Sequence, residues 1–552
     1  MKYKAFLLNS LDTVFWDSDI KESSLSHTTM LKNEAFSVQL AFSAEKESDD
    51  DPDNIELGIR ITSGLNNELS IYELENVALM RVALSTSDDW YLRKTPGLYP
   101  DRMRRLKKGA FTAVAGQWRA LWITFNEKLN NLPAGVYPIK IQIYERKTNN
   151  VVSESEFALE VIAAELPNQE MYVTNWVHYD CISTFSNTRP FSNEFLDVLK
   201  RYVTLAVKNG QNTILTPAFT PPLDTEPGKE RMTVQLVKIE KQNGLYSFDF
   251  SDMQRFINIC LECGIEYFEH SHLYTQWGAK HAPKIVVKEN GKNKKMFGWK
   301  TDASSKEYKE FLHSYLTALK CFIKENGYEK RFFFHISDEP SEEMLDDYRD
   351  ASMFVQSELK DFPIGDALSD YKYYESGLVK VPISLTYKVE SFYKKASPLW
   401  MYYTGCNSNY YLANRVIGMP QERSRVLGVQ LYYYDIQGFL HWGFNAHHNN
   451  LAREIVDPGI SPDMNGDFAG GSSFLVYPKG KDVDPSIRLN TFRDLMQDVR
   501  AMRLLESMIG RDEVCRMIKQ VIPDISIMCR VTSEQILELR NRVNAEISQN
   551  LG

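Results

Sequence analysis

The stretch RFFFHISDEPSEE, from Arg331 to Glu343, begins as an apolar, aromatic run and ends in two adjacent acids, Asp338 and Glu339, with Pro340 directly behind them. A short apolar run bounded by turn signals reads as a buried strand. Carboxylates this close repel, so one of the two holds its proton to unusually high pH. Two readings follow. In the first, the pair opens a helix, with Ser341 as its cap and Glu342 and Glu343 against the positive end of the dipole. In the second, the pair is catalytic. Pro340 then keeps Glu339 out of the helical region and the chain extended, so that both carboxylates reach one mouth.

Outward from this run, the same pattern recurs. MYVTNWVH (171–178), NTILTPAF (212–219), IEYFEHSH (265–272), RFFFHIS (331–337), PIGDALS (363–369), PISLT (382–386), LWMYYTG (399–405) and GFLHWGFN (438–445) alternate with helical patterns such as 305–328. Eight strand–helix units predict a (β/α)8 TIM-type barrel, with its active site at the C-terminal ends of the strands. A doubly wound sheet is the alternative, but no Gly-rich phosphate loop follows any strand. Two insertions, 234–250 and 285–299, each turn at Asn-Gly and read as hairpins able to wall a cleft at the barrel mouth. Before the barrel, residues 1–165 alternate apolar and polar positions: Ile55, Leu57, Ile59 and Ile61; Ile139, Ile141 and Ile143; Phe157, Leu159 and Val161. This predicts a β-sandwich over 1–165, a catalytic barrel over 166–505 and a C-terminal helical extension over 506–552.

Bulk properties narrow the function. A chain of 552 residues needs more than one core, and its 43% hydrophobic and 25% charged content is that of an ordinary globular protein. A net charge of −9 with no long Lys/Arg run argues against nucleic acid and anionic membrane surfaces. No run reaches membrane-spanning length, and the N-terminal apolar patch Ala5 to Leu8 is too short for a secretion signal, so no membrane insertion is expected. Seven scattered cysteines fit a reduced, cytoplasmic setting.

Further side chains gather at the predicted strand ends: Trp176 and His178, His270 and His272, Tyr402 and Tyr403, Trp442 and Asn445. Aromatic faces for C–H surfaces, with polar groups for hydroxyls, are what a sugar site needs. Some of these aromatics are expected to be core. His270-x-His272 and His447-His448 raise a metal reading, with the strand-three pair facing inward together, but no set of three or four ligands at a recognisable spacing completes it. No metal and no cofactor is therefore expected. Cys260 and Cys263 fall in a helical pattern with no second pair nearby and read as packing residues.

The motifs HISDEP (335–340), GFLHWGFN (438–445), LVYPKG (475–480) and SIRLNTFRDLMQD (486–498) resemble the catalytic domain of glycoside hydrolase family 123, and PGLYPD (96–101) resembles a segment of that family's N-terminal β-sandwich. The resemblance implies a retaining β-N-acetylgalactosaminidase that uses the substrate's own 2-acetamido group as nucleophile. Its substrate would be an oligosaccharide or a glycosphingolipid glycan. Carried over, Glu339 is the general acid/base, and Asp338 holds the acetamido N–H and stabilises the oxazolinium intermediate. Repulsion and burial would then keep a proton on Glu339 near neutrality. The acetamide oxygen needs a hydroxyl donor, and position suggests Tyr402 or Tyr403. Two rival functions stay open: a non-catalytic glycan-binding protein on a barrel scaffold, and a metal-dependent hydrolase using the strand-end histidines.

Overall fold

The computed structural model describes residues 1–20, 25–65, 68–405 and 407–551. The N-terminal region forms two five-stranded sheets. One orders its strands Lys2–Asn9, Phe36–Glu45, Arg119–Phe125, Leu69–Leu79 and Gly97–Arg105; the other orders them His27–Leu31, Val151–Ile162, Gly135–Glu145, Asn54–Thr62 and Ala110–Val114. Between them lies one apolar cluster in which Val38, Leu40 and Phe42 meet Leu57, Ile59, Ile139, Ile141, Ile143, Phe157, Leu159 and Val161. The alternating positions thus share one face, as a period of two requires.

Eight short parallel strands follow, numbered here β1 (Tyr172–Asn175), β2 (Thr213–Thr216), β3 (Tyr267–His270), β4 (Phe332–Phe334), β5 (Gly365–Leu368), β6 (Val381–Leu385), β7 (Trp400–Tyr402) and β8 (Gly438–His441). Seven lie inside their apolar runs, and β6 starts one residue ahead of its own. They pair as a five-stranded sheet, β1-β8-β7-β6-β5, and a three-stranded sheet, β2-β3-β4. A parallel bridge between Phe334 and Ile364 links β4 to the entry of β5. Beside β1, Asn212 at the foot of β2 accepts the Val173 N–H on its side chain (2.9 Å) and donates its own N–H to Val173 O (3.3 Å). The fold is thus a mixed β and α/β multidomain arrangement.

Alternation along these strands separates two layers. Trp176, Leu215, Phe333, Ala367, Val381, Ile383, Leu385, Trp400, Tyr402 and Leu440 form an inner cluster, while the intervening residues join the large core under the helices. The inner layer is tight: a Cβ on Gly438 would fall 2.2 Å from the Trp400 ring. Among the described residues, no helix is long and apolar enough to cross a membrane.

The insertions behave partly as read. Their hairpins, Lys238–Gln242 with Leu245–Asp249 and Ile285–Glu289 with Lys292–Phe297, turn at Asn243-Gly244 and Asn290-Gly291 and join into one four-stranded sheet. A cleft of about 1000 Å³ runs along it, lined by Phe191, Gln235, Lys238, Asp252 and Arg255 among others. Neither Asp338 nor Glu339 lines this cleft, while Lys295, Gly298 and Trp299 of the second insertion face Arg231 and Thr275, after β2 and β3, across a smaller cavity.

The helix Ile487–Ile509 packs against the helix Gln421–Tyr433 and carries the main junction with the N-terminal sheets. Arg488 donates Nε and Nη2 to the two oxygens of Asp101, both at 2.9 Å, and Tyr477 donates to Asp101 Oδ2 at 2.5 Å. All three residues are buried. The last helix, Ser533–Gln549, sends Arg540 to Glu34 (2.7 Å) and Asp498 (3.1 Å), so the tail also touches the first region. Removing one member of a buried ion pair leaves an uncompensated charge. Arg488→Met is therefore expected to cost about 3–5 kcal/mol, read as a lower denaturant midpoint. Adding Asp101→Asn to it should recover part of the loss.

Candidate active site

Asp338 and Glu339 follow β4 and are both half-buried. The segment ahead of them is clamped from below. Asp366 on β5 accepts the N–H groups of Ile336 (3.0 Å) and Ser337 (3.1 Å), and the Tyr348 hydroxyl closes on its second oxygen. His335, three residues before Asp338, donates Nε2–H to Glu269 (2.5 Å) and faces Asp366 through Nδ1 at 3.3 Å. Glu269 on β3 also accepts the Trp176 indole N–H (2.7 Å) and the Thr174 hydroxyl (2.8 Å). Burial opposes a charge on His335, but its hydrogen bonds to Asp366 and Glu269 outweigh burial and raise its pKa to about 10. A buried imidazolium thus stands beneath the acid pair.

The pair itself is uneven. Burial first, and then the charge of Glu339, push Asp338 well above the usual carboxylate range, with His335 opposing. Asp338 accepts no hydrogen bond on its carboxylate among the described residues, whereas Tyr402 at the end of β7 donates its hydroxyl to Glu339 Oε1 at 2.6 Å. The backbone differs too. Glu339 is not extended but left-handed, with φ 43°, and its N–H donates to Ala367 O (3.1 Å). Pro340 excludes only the right-handed region. The helix-start reading also needs correction. Glu342–Met344 is a 3-10 turn, and the helix proper, Leu345–Glu358, places Asp346 and Asp347 in its first turn.

The other strand-end residues separate into two groups. Tyr402 and His272 point inward with Trp176. His272 stacks on His335 at 4.6 Å and meets Trp176 edge-on at 5.2 Å, and neither of its ring nitrogens has a partner among the described residues. Trp176 is buried, with its N–H spent on Glu269. Trp442 is half-buried at the rim, 5.6 Å from Phe468. The remaining four lie elsewhere. His270 turns to the outer layer, bonded to Ser271 O (2.6 Å) and the Tyr315 hydroxyl (2.7 Å). Tyr403 packs on Phe439 and His441 in that same layer, because adjacent strand residues face opposite ways. Asn445 closes its amide on the backbone of His178, accepting its N–H (2.9 Å) and donating to its carbonyl (3.1 Å).

The metal reading fails on direction, since His270 and His272 diverge and so do His447, on Val476 O, and His448. Among the described residues, His178, Asp180 and His448 do bring ligand atoms within 4.8 Å of one another. The cation they surround is the Arg231 guanidinium, which donates to both Asp180 oxygens (2.8 and 2.9 Å) and lies 2.9 Å from each histidine.

Sequence reading missed five contributors. His335, Glu269 and Asp366 are polar residues at inward positions on or just beyond apolar strands, and that mismatch was the available signal. Arg231 lies between β2 and the first insertion, 53 residues from His178, where no local pattern marks it. Asp224, after β2, holds a left-handed φ of 40° and accepts the Leu451 N–H at 3.2 Å. Burial holds its pKa up at about 6, with Arg231 opposing and Asp467 and Glu339 adding to it.

A carboxylate pair at the end of a parallel strand, with a tyrosine on one acid and an aromatic rim, is the equipment of an enzyme that cleaves a glycosidic bond. The sequence model for the glycoside hydrolase 123 catalytic domain matches residues 176–505, more than half of the chain. The chain belongs to glycoside hydrolase family 123, and so is a glycosidase. A family 123 glycoside hydrolase from Clostridium perfringens, described for glycolipid glycan hydrolysis, superposes with a TM-score of 0.73 at 13% identity, covering 100% of this chain and 97% of its own. β-Glucuronidase 2 of Bacteroides uniformis (TM-score 0.30, 12% identity, 81% of this chain and 47% of its own) and a β-glucuronidase of Ruminococcus gnavus (0.32, 9%, 90% and 67%) are too distant to bear on the fold. No curated protein sequence matches this chain.

His335 gives a pH test. Its pKa is raised to about 10 in the fold, against about 6.5 for a free histidine. Its stabilisation is therefore complete below about pH 6.5 and is lost as pH rises through about 10. His335→Gln should destabilise by about 3–5 kcal/mol near pH 6. The gap to wild type, measured by chemical denaturation, should close above pH 10.

Proposed function

We propose that this chain is a retaining β-N-acetylgalactosaminidase that removes terminal β-linked N-acetylgalactosamine from glycans or glycolipids with the substrate's 2-acetamido group as nucleophile. In this reading, residues 1–165 are a β-sandwich, 166–505 close into a (β/α)8 barrel and 506–552 are a helical extension. The carrying observation is the adjacency of Asp338 and Glu339 at one strand end, with Tyr402 on Glu339. A retaining enzyme with its own nucleophile sets its two carboxyls about 5–5.5 Å apart across the bond. Neighbours in sequence at one strand end suit that division poorly. They suit a substrate nucleophile well. The relative from Clostridium perfringens, described for glycolipid glycans, supports that substrate class.

The chemistry follows from the residues. Asp338, as carboxylate, accepts the acetamido N–H and makes its oxygen a better nucleophile. That oxygen attacks the anomeric carbon while Glu339 gives its proton to the departing oxygen. The oxazolinium ion that results is paired with Asp338. Glu339, now ionised, takes a proton from water, which opens the ring with net retention. The Asp338 hydrogen bond strengthens as positive charge grows, so it favours the transition state over the ground state. Trp442 and Phe468 offer apolar rings to the sugar at the rim, and His272 offers ring nitrogens from within.

Glu339→Gln keeps shape and removes the proton donor, so a loss of roughly 10²–10⁴-fold is expected on a natural glycan, and less on aryl glycosides with good leaving groups. Asp338→Asn should lower kcat by orders of magnitude with little change in binding. Aryl β-GalNAc, β-GlcNAc and β-galactoside assayed side by side test the substrate class. The mechanism is tested by progressive fluorination of the acetyl group, which should slow turnover. Rates insensitive to fluorine, or a covalent sugar trapped on a carboxylate, would refute the acetamide nucleophile.

A further inference from the structure

The mechanism needs Asp338 ionised and Glu339 protonated, yet the hydrogen bonds in the structure favour the reverse. Neighbouring carboxyls whose charges act on each other share one proton over a range of pH, because ionising the second against the first is costly. The better donor set decides which of them is charged. Glu339 Oε1 accepts the Tyr402 hydroxyl at 2.6 Å, while the Asp338 carboxylate accepts nothing among the described residues. Donors thus place the charge on Glu339 and the proton on Asp338.

The surroundings keep this balance close. Beneath the pair, the His335 imidazolium draws negative charge toward Asp338. Asp366 from β5 and Asp224 from the loop after β2 repel charge at Asp338, and Asp224 also faces Glu339. Tyr402 faces both acids, with Tyr387 nearby from the turn after β6. Every one of these groups except Tyr402 is held by other protein contacts or stands farther off. Among the described residues, Tyr402 alone hydrogen-bonds a carboxyl group of the pair, through a hydroxyl that can turn to another acceptor.

We propose that Tyr402 places the proton: its hydroxyl serves Glu339 in the arrangement seen here and passes to the acetamide oxygen when an N-acetylhexosamine binds, so that the proton leaves Asp338 for Glu339. This rests on the substrate-assisted reading. The acetamido group changes both sides of the balance at once. Its N–H supplies the donor that Asp338 lacks, and its carbonyl removes the donor that Glu339 has. One O–H bond breaks on Asp338 and one forms on Glu339, so the net charge of the pair stays the same. A sugar without the acetamido group leaves the proton on Asp338 and the acid unarmed.

The kinetic test compares Tyr402→Phe with wild type on an aryl β-GalNAc. Loss of the donor removes stabilisation from the ionised Glu339 of the free enzyme, so the first proton leaves the pair less readily. The acid limb of kcat/KM should therefore move up by about one pH unit, while that of kcat, which reports the bound state, stays in place. The value of kcat itself should fall roughly 10²-fold. A role in packing alone would lower rates without moving one limb and not the other. The spectroscopic test uses wild type labelled with ¹³C in its glutamate carboxyls. On binding a GalNAc-thiazoline, infrared difference spectra should lose a protonated aspartate band and gain a protonated glutamate band. An unmoved kcat/KM limb, or no exchange of bands on binding, overturns the proposal while leaving the acetamide mechanism standing. If wild type neither cleaves the aryl β-GalNAc nor binds the thiazoline, the substrate-assisted reading itself falls, and this proposal with it.

Discussion

Arg488 is the point through which the two halves of the molecule hold each other. Its guanidinium meets both oxygens of Asp101 from the N-terminal sheets, and its remaining N–H groups reach the carbonyls of Arg415 (3.3 Å), Gly471 (2.6 Å) and Phe474 (2.5 Å). A planar fork of five donors is suited to such a task, where a single ammonium would not be. The loops it fixes follow β7 and β8. Arg415, which one of them carries, donates to Asn175 (2.7 Å), His441 and Gly443 at the ends of β1 and β8. The rim of the site is therefore anchored to the N-terminal sheets through one buried charge. That also accounts for the company of PGLYPD, LVYPKG and SIRLN in the sequence, since Asp101, Tyr477 and Arg488 come one from each.

Charge is arranged along a line running up through the inner layer. Glu269 and Asp366 flank His335, which lies under Asp338, which lies beside Glu339 under the Tyr402 hydroxyl. Each step alternates sign or shares a proton, and each member except Asp338 has a side-chain hydrogen-bond partner among the described residues. Buried polar networks are stable only when their members are satisfied. The member left wanting a donor is the one at which the reaction is proposed to need an N–H.

Legibility in the sequence followed the range of the interaction. Strand positions could be read because an apolar run needs only its own neighbours to be recognised, and seven of the eight fell within the expected windows, β6 starting one residue early. The acid pair could be read because two like charges before a proline are a local oddity. The division between Tyr402 and Tyr403, or His270 and His272, could not be read, because it depends on where each strand stops and the chain bends away. Pairs such as Arg231 with Asp180, or Arg488 with Asp101, join residues 51 and 387 positions apart, and no single chain without relatives records them. The backbone of Glu339 escaped for a different reason: proline forbids one region of conformation but does not choose between the two that remain.

That backbone has a bearing on how the protein could change. A glutamate at φ 43° sits where residues with a Cβ are strained by about 1–3 kcal/mol, while glycine is at ease there. The residue proposed as the acid is thus the one that folding alone would least choose at this position. Selection for stability, relaxed from any demand for turnover, would favour losing it. A relative that kept only the capacity to hold glycans would be expected to show a glycine here first, and its gain in robustness would measure the tension that the working enzyme sustains.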